Sequence, residues 1–349
     1  MATINERILD RTIAHQQNVI NFSRSQASLI SNKLNGDLSK IKKEVLLFLS
    51  NYDGDSSRLF TIKSQVNKID SLIIKLKKIR SDQYGNAKLE TNKMLKGFIK
   101  RENLIEESIM SDGGKVDYDK ASNDSIWTLF LLSMIVGSKY EDHFIDLENS
   151  DIDRISKQLK FGLSQNLTDA QIMKSIFGTK QNRNKDGVIN TSFNQLSSTI
   201  STLVIAAQTA TVASIVKANI AKVIWGQFVA VLDSRTSAIC SSYSGLVAKY
   251  VDMPNPPLHP NCRSHITIFY KTLQGFAKKD LGAMPRVNDY FDWITTQPKV
   301  IQEQALGVKR TELLRSGKLT VDKFYANNEL ITLDELQRRY GDIFKSTES

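Results

Sequence analysis

The chain has 349 residues, 41% hydrophobic and 24% charged, a balance that predicts about two or three globular domains and excludes a disordered or fibrous polypeptide. Two cysteines exclude a disulfide framework. The net charge of +10 favours contact with a polyanion yet falls short of a dedicated nucleic-acid reader.

The N-terminus, "MATINERILDRT", carries charges where a signal peptide needs an apolar stretch, which predicts a protein that stays where it is made. The first proline is Pro254, and most of the preceding chain follows helical periods, as long uninterrupted helices require. Leu34, Leu38, Ile41, Val45 and Phe48 form one heptad stripe; Ile62, Val66, Ile69, Ile73 and Leu76 form a second after the turn-like "NYDGDSS". The two stripes predict an antiparallel helical hairpin in residues 1–110, packed on itself or on a partner subunit. "IIKLKKIR" clusters Lys75, Lys77, Lys78 and Arg80, and "GTKQNRNKDG" clusters Lys180, Arg183 and Lys185. Neither cluster has interleaved aromatics, so only backbone phosphate contact is expected of them.

A Gly/Asp-rich linker, residues 110–124, precedes a second helical region over 111–227. It opens with "SIWTLFLLSMIVGS", Ser125 to Ser138, too short to span a bilayer and expected to be a buried helix. Thr168 and Gln171 form a capping box ahead of a helix stopped by Gly178. From Asn194 to about Gln227 the chain is rich in Ala, Ser, Thr, Ile and Val, and within it "AAQTATVASIVKANIAKVIW", Ala206 to Trp225, reads as a long helix, although its β-branched residues weaken helix propensity. At about Phe228 the period changes. "FVAVLD", "LVAKYV" and "HITIFY" predict a small antiparallel sheet over 228–271. A helical tail, 272–349, follows, with an "SGK" turn, an extended piece, and a last helix capped by Thr332 and Glu335 and stopped by Gly341. The fold class expected is therefore α+β, predominantly α-helical, with long N-terminal helices and a small antiparallel module near the C-terminal third.

The segment from Leu232 to His265 holds both cysteines, two of the four histidines and four of the six prolines. "HPNCRSH" spaces His259, Cys262 and His265 at three-residue intervals, and strand pairing can bring Cys240 close. Four such ligands suit tetrahedral zinc, the cofactor this set points to. Ser237 and Ser264 stand where further thiols would complete a zinc signature. The alternatives are two cysteines packed as small hydrophobes, a thiolate nucleophile paired with His259, and a histidine-metal nuclease. Asp233 suits the following "SRTS" turn, Arg235 and Arg263 offer bidentate partners to carboxylates, and Pro254, Pro256, Pro257 and Pro260 stiffen the loop.

Asp233, Arg235, Thr236, Cys240, Gly245, Pro257, His259, Pro260, Cys262 and Arg263 together resemble the signature of the phage Mu F-like minor head proteins, the phage head-morphogenesis family. Many members carry extra cysteines that suggest zinc; this chain departs from them at Ser237 and Ser264, where His265 is the substitute ligand expected. Trp293, Gln297, Gly307, Arg310, Gly317, Lys318 and Phe324 match the tail that follows the motif in such proteins, so the resemblance covers about residues 194–341. It implies a structural component of the virion head, made in the host cytoplasm and present in several copies near the portal vertex. Its expected partners are portal or major capsid subunits, together with packaged DNA through its backbone. The alternatives are an internal protein ejected with the DNA, touching a membrane through the segment from Ser125, and a metal-dependent nuclease or hydrolase.

Overall fold

The computed structural model describes residues 2–36, 38–52, 63–220, 222, 224–283 and 289–345. The fold is α+β and mostly helical, as expected, with two compact units assembled from non-consecutive segments. One comprises Val19–Glu102 and Asn123–Ala210; the other comprises Met1–Asn18, Asn103–Ser122 and Thr211–Ser349.

The first of these units is all helical. It contains most of α1 (Ile4–Gly36) and α3 (Lys63–Met110), with α2 (Leu38–Ser50), α4 (Asn123–Leu132), α5 (Tyr140–Ser164), α6 (Asp169–Phe177) and the larger part of α7 (Val188–Ala218). Leu38, Ile41 and Val45 of α2 meet Ile69, Leu72 and Leu76 of α3 in one core. That core also takes Ile155 and Leu159 from α5, Ile172 and Ile176 from α6 and Ile189 from α7. The two stripes are thus part of a larger core rather than a self-contained hairpin. Leu34, the first residue of the upper stripe, belongs to α1, while Ile62 and most of "NYDGDSS" lie outside the described residues.

Beside this core a fully buried ion pair joins α3 to α5, Arg80 Nε standing 2.7 Å from Asp151 with both side chains 0% exposed. Ser192 of α7 and Tyr84 of α3 donate their hydroxyls to the same carboxylate, and Arg80 Nη1 donates to Gln83 Oε1 at 2.8 Å. Arg80 is therefore not a phosphate contact. A residue placed by helical period at a core position turned inward with a partner, because a buried guanidinium is tolerated only when paired.

The apolar segment from Ser125 is helical only as far as Leu132 and buries one face, Ile126 and Phe130. Leu132 and Met134 are exposed, so the expected buried helix is a short half-buried one. α6 has the complete capping box of Thr168 and Gln171 and ends at Gly178 with φ +76°. α7 begins before Asn194 and stops at Ala218, short of the expected end, because Asn219 turns the chain by accepting from Lys222 and donating to Asp119 O. Among the described residues α7 is the one helix long and apolar enough to cross a membrane, and 78% of its apolar window is buried inside the protein.

The second unit carries the sheet, order β2-β1-β3, all antiparallel. β1 (Ile224–Val229) starts four residues before Phe228 and pairs with β2 (Val247–Lys249) and β3 (His265–Tyr270). Short α8 (Ala238–Tyr243) lies between β1 and β2. Asn5 of α1 fastens β3, donating to Tyr270 O and accepting from Tyr270 N–H, each at 2.9 Å. The tail forms α9 (Lys278–Leu281), α10 (Tyr290–Thr295), α11 (Lys299–Leu306), α12 (Val308–Arg315), the hairpin of β4 (Tyr325–Ala326) and β5 (Glu329–Leu330), and α13 (Leu333–Lys345). Tyr290, Ile294, Leu306, Leu313, Phe324 and Leu336 form its core. The last helix departs from expectation twice. Glu335 N–H reaches Thr332 Oγ1 at 3.2 Å while the Glu335 carboxylate pairs with Arg338 and Arg339, leaving the capping box half made. Gly341 does not stop α13, which runs to Lys345 across a kink at Tyr340.

Candidate metal centre

The motif loops converge beside the sheet. Ser237 caps α8, accepting from Cys240 N–H at 3.4 Å, which places Cys240 one turn into the helix. The proline-stiffened loop returns through the cis Pro256–Pro257 bond to a turn in which Cys262 N–H donates to His259 O at 3.1 Å, with Asn261 at φ +58°. Cys240 Sγ then lies 3.7 Å from Cys262 Sγ and 3.2 Å from His259 Nε2. The ligand atoms of Cys240, His259 and Cys262 all fall within 4.8 Å of one another.

This geometry fits a bound metal. Two Zn–S bonds of about 2.3 Å at a tetrahedral angle enclose a separation of about 3.8 Å, close to that between the two sulfurs. His259 Nδ1–H donates to Pro260 O at 2.8 Å, which holds the ring with Nε2 toward the sulfurs, the orientation a ligating imidazole requires. Cys240 and Cys262 are 2% and 1% exposed, His259 half-buried. The hydrogen bonds with Cys240 and His259 hold the Cys262 thiol down against its burial, and the same contact with Cys262, together with burial, pushes Cys240 up. His259 is raised, chiefly by its hydrogen bond with Cys262.

His265 is not the fourth ligand. It is the first residue of β3, opposite Val229, and its two ring nitrogens are buried without hydrogen-bond partners among the described residues. Burial and the charge of His15 lower it to about 3. The three-residue interval from Cys262 failed as a guide because the turn at His259–Cys262 gives way to a strand, and pairing with β1 takes His265 into the sheet. Ser237 Oγ stands 2.6 Å from His259 Nε2. Sequence reasoning treated Ser237 as an absent thiol; its spacing of three before Cys240, that of an N-cap, was the available signal.

The other motif residues fasten the two loops together. Arg263, next to Cys262, makes a bidentate pair with Asp233, Nη1 to Oδ2 at 2.5 Å and Nη2 to Oδ1 at 2.8 Å. Burial raises the Asp233 carboxyl, but the Arg263 guanidinium outweighs it and, with Arg235, holds the group at about 2. Arg235 N–H donates to Asp233 Oδ1 at 2.9 Å, and Thr236 Oγ1 donates to Val231 O. Gly245, at φ +82°, sends its N–H to Phe228 O at 2.9 Å as the chain enters β2. Three of the matching tail positions hold the tail together: the Trp293 ring lies tilted against Tyr290, Phe324 is 0% exposed, and Arg310 donates to Leu306 O and Ile331 O.

Of the basic residues, Lys75, Lys77 and Lys78 are exposed, Lys75 near Glu44 at 3.6 Å. Lys180, Arg183 and Lys185 are exposed on a loop tied by Asp186, which accepts from Thr179 N–H and Oγ1 and from Asn182 Nδ2. No protein-family model, no curated protein and no solved structure matches the chain.

Proposed function

We propose that the chain is a structural minor head protein of a tailed phage, of the kind its Asp233–Arg263 block resembles, and that Cys240, His259 and Cys262 hold zinc. The reading rests on one observation: the two halves of the block, Asp233–Cys240 and His259–Arg263, are separated in the chain by residues 241–258 and are joined by the Asp233–Arg263 ion pair and by the Cys240–His259–Cys262 cluster. A nucleophile needs an accessible thiolate, whereas both sulfurs here are sealed, which favours a folded tie over turnover. Zinc would supply a rigid crosslink between α8 and the His259–Cys262 turn, adding to the folding free energy of the module. The exposed Lys75, Lys77, Lys78, Lys180, Arg183 and Lys185 are the groups that would meet DNA phosphates.

Metal analysis of the purified protein is expected to give one zinc per chain. Cys262→Ser should release it and lower the melting temperature; an unchanged melt would leave the cysteines as packing groups. The biological role is tested by quantitative mass spectrometry of purified particles before and after DNA release. Retention at a fixed ratio to portal subunits supports a vertex component. Loss with the DNA makes it an ejected protein, and the exposed Leu132 and Met134 become the residues to test for membrane contact. Absence from particles overturns both.

A further inference from the structure

The same cysteine pair has a second chemistry open to it. We infer that Cys240 and Cys262 are a site of oxidative modification, converted to an intrachain disulfide by a peroxide-class oxidant whenever no metal bridges them. Both are free thiols with their sulfurs 3.7 Å apart, against about 2.05 Å in a disulfide. Closing that gap moves each sulfur by less than about 1 Å, within the reach of a small side-chain rotation. The chain has no other cysteine to compete. Burial of both sulfurs keeps them from the thiols of a second copy of the chain.

The step balances with hydrogen peroxide as the oxidant. Cys262 sulfur attacks one peroxide oxygen, the O–O bond breaks, and the other oxygen leaves with a proton as water, giving a sulfenic acid. Cys240 sulfur then attacks the Cys262 sulfur, and the S–O bond breaks. The hydroxide that leaves takes the Cys240 proton as a second water, so two thiols and one peroxide become one disulfide and two waters. Burial makes the first step slow. Proximity makes the second fast, so the sulfenic acid is trapped by Cys240 before another peroxide arrives.

The inference needs the geometry of the pair and not the head-protein role; only the protection by metal rests on the zinc reading. Full-length protein, stripped with a chelator or loaded with zinc, is treated with hydrogen peroxide and followed by intact mass and non-reducing peptide mapping. The stripped protein is expected to lose about 2 Da and give one crosslinked peptide pair holding Cys240 and Cys262, reversed by dithiothreitol. Cys240→Ser should instead accumulate about 32 Da at Cys262, the sulfinic acid expected when no resolving thiol is present. If that variant does not fold, the wild-type peptide map decides alone. A sulfinic acid at Cys262 of the wild type, a disulfide-linked dimer, or two unmodified thiols after exhaustive treatment overturns the inference. Zinc is expected to slow crosslinking about tenfold or more by occupying both sulfurs; equal rates leave the disulfide standing and remove zinc from the cluster.

Discussion

His265 and Arg80 each carry a charge-bearing side chain that the sequence placed at a ligand or phosphate site and the fold placed in the interior. Residue type and spacing identify what a side chain can bind; they do not identify which way it faces, and that depends on pairing partners far along the chain. For His265 the partner is Val229, and the consequence is a neutral imidazole in the sheet. Its folded pKa of about 3 lies below that of the unfolded chain, about 6.5. The unfolded chain therefore binds the proton first, and stability is lost as pH falls from about 6.5 toward 3. At pH 5 the loss from this residue is about 2 kcal/mol. His265→Phe, which removes two buried ring nitrogens that lack partners among the described residues, should flatten the slope of urea-denaturation stability between pH 7 and pH 4. What remains is an acid limb below pH 4, where protonation of Asp233 releases Arg263: that carboxyl is depressed, so its contribution is present above the unfolded pKa and fades as pH falls toward about 2. Zinc stoichiometry should not change in His265→Phe. Loss of metal in this variant would restore His265 as a ligand.

Elements with their own punctuation were legible from the sequence: α6, with a capping box at one end and Gly178 at the other, occurs as read. Boundaries set by tertiary contacts were not. β1 begins at Ile224 because Trp225, Gly226 and Gln227 pair with β2 and β3, although a glycine and a glutamine read as poor strand formers. Gly226 is there for room. A Cβ at this position would stand 2.8 Å from Ile266 Cγ2 and 2.9 Å from Met253 Cγ, inside any ordinary carbon contact. Gly226→Ala must displace Ile266 on the neighbouring strand or Met253 beyond β2, and overpacking of that kind costs about 1 to 3 kcal/mol. A urea melt with a stability unchanged to within about 0.5 kcal/mol would mean that the sheet relaxes freely. The cluster that could hold a metal was legible in three of its four expected members for the complementary reason: Cys240 sits in the capped first turn of α8, and His259 and Cys262 share one turn, so their hydrogen bonds are local and a sequence pattern records local geometry well.

For the molecule as a whole, the net charge of +10 becomes informative once exposed and buried cations are separated. Arg80 is sealed against Asp151 and contributes nothing outside. Replacing it by alanine would leave a buried unpaired carboxylate and cost about 3 to 5 kcal/mol, so any loss of DNA binding in that variant would report unfolding. Lys180, Arg183 and Lys185 differ. They are exposed on a loop whose shape is set by Asp186 and Thr179 rather than by their own side chains, so reversing their charges leaves the loop's hydrogen bonds intact. If these three residues meet phosphates, each releases counterions, and the dependence of log binding constant on log salt steepens by about 0.9 for every phosphate neutralised. Lys180→Glu, Arg183→Glu and Lys185→Glu combined should therefore weaken binding to duplex DNA of any sequence and make that salt slope shallower by about 2 to 3. Fluorescence titrations across a range of salt concentrations measure both quantities. An unchanged slope with unchanged circular dichroism would remove these three residues from any DNA contact and leave the exposed Lys75, Lys77 and Lys78 as the cluster to test next.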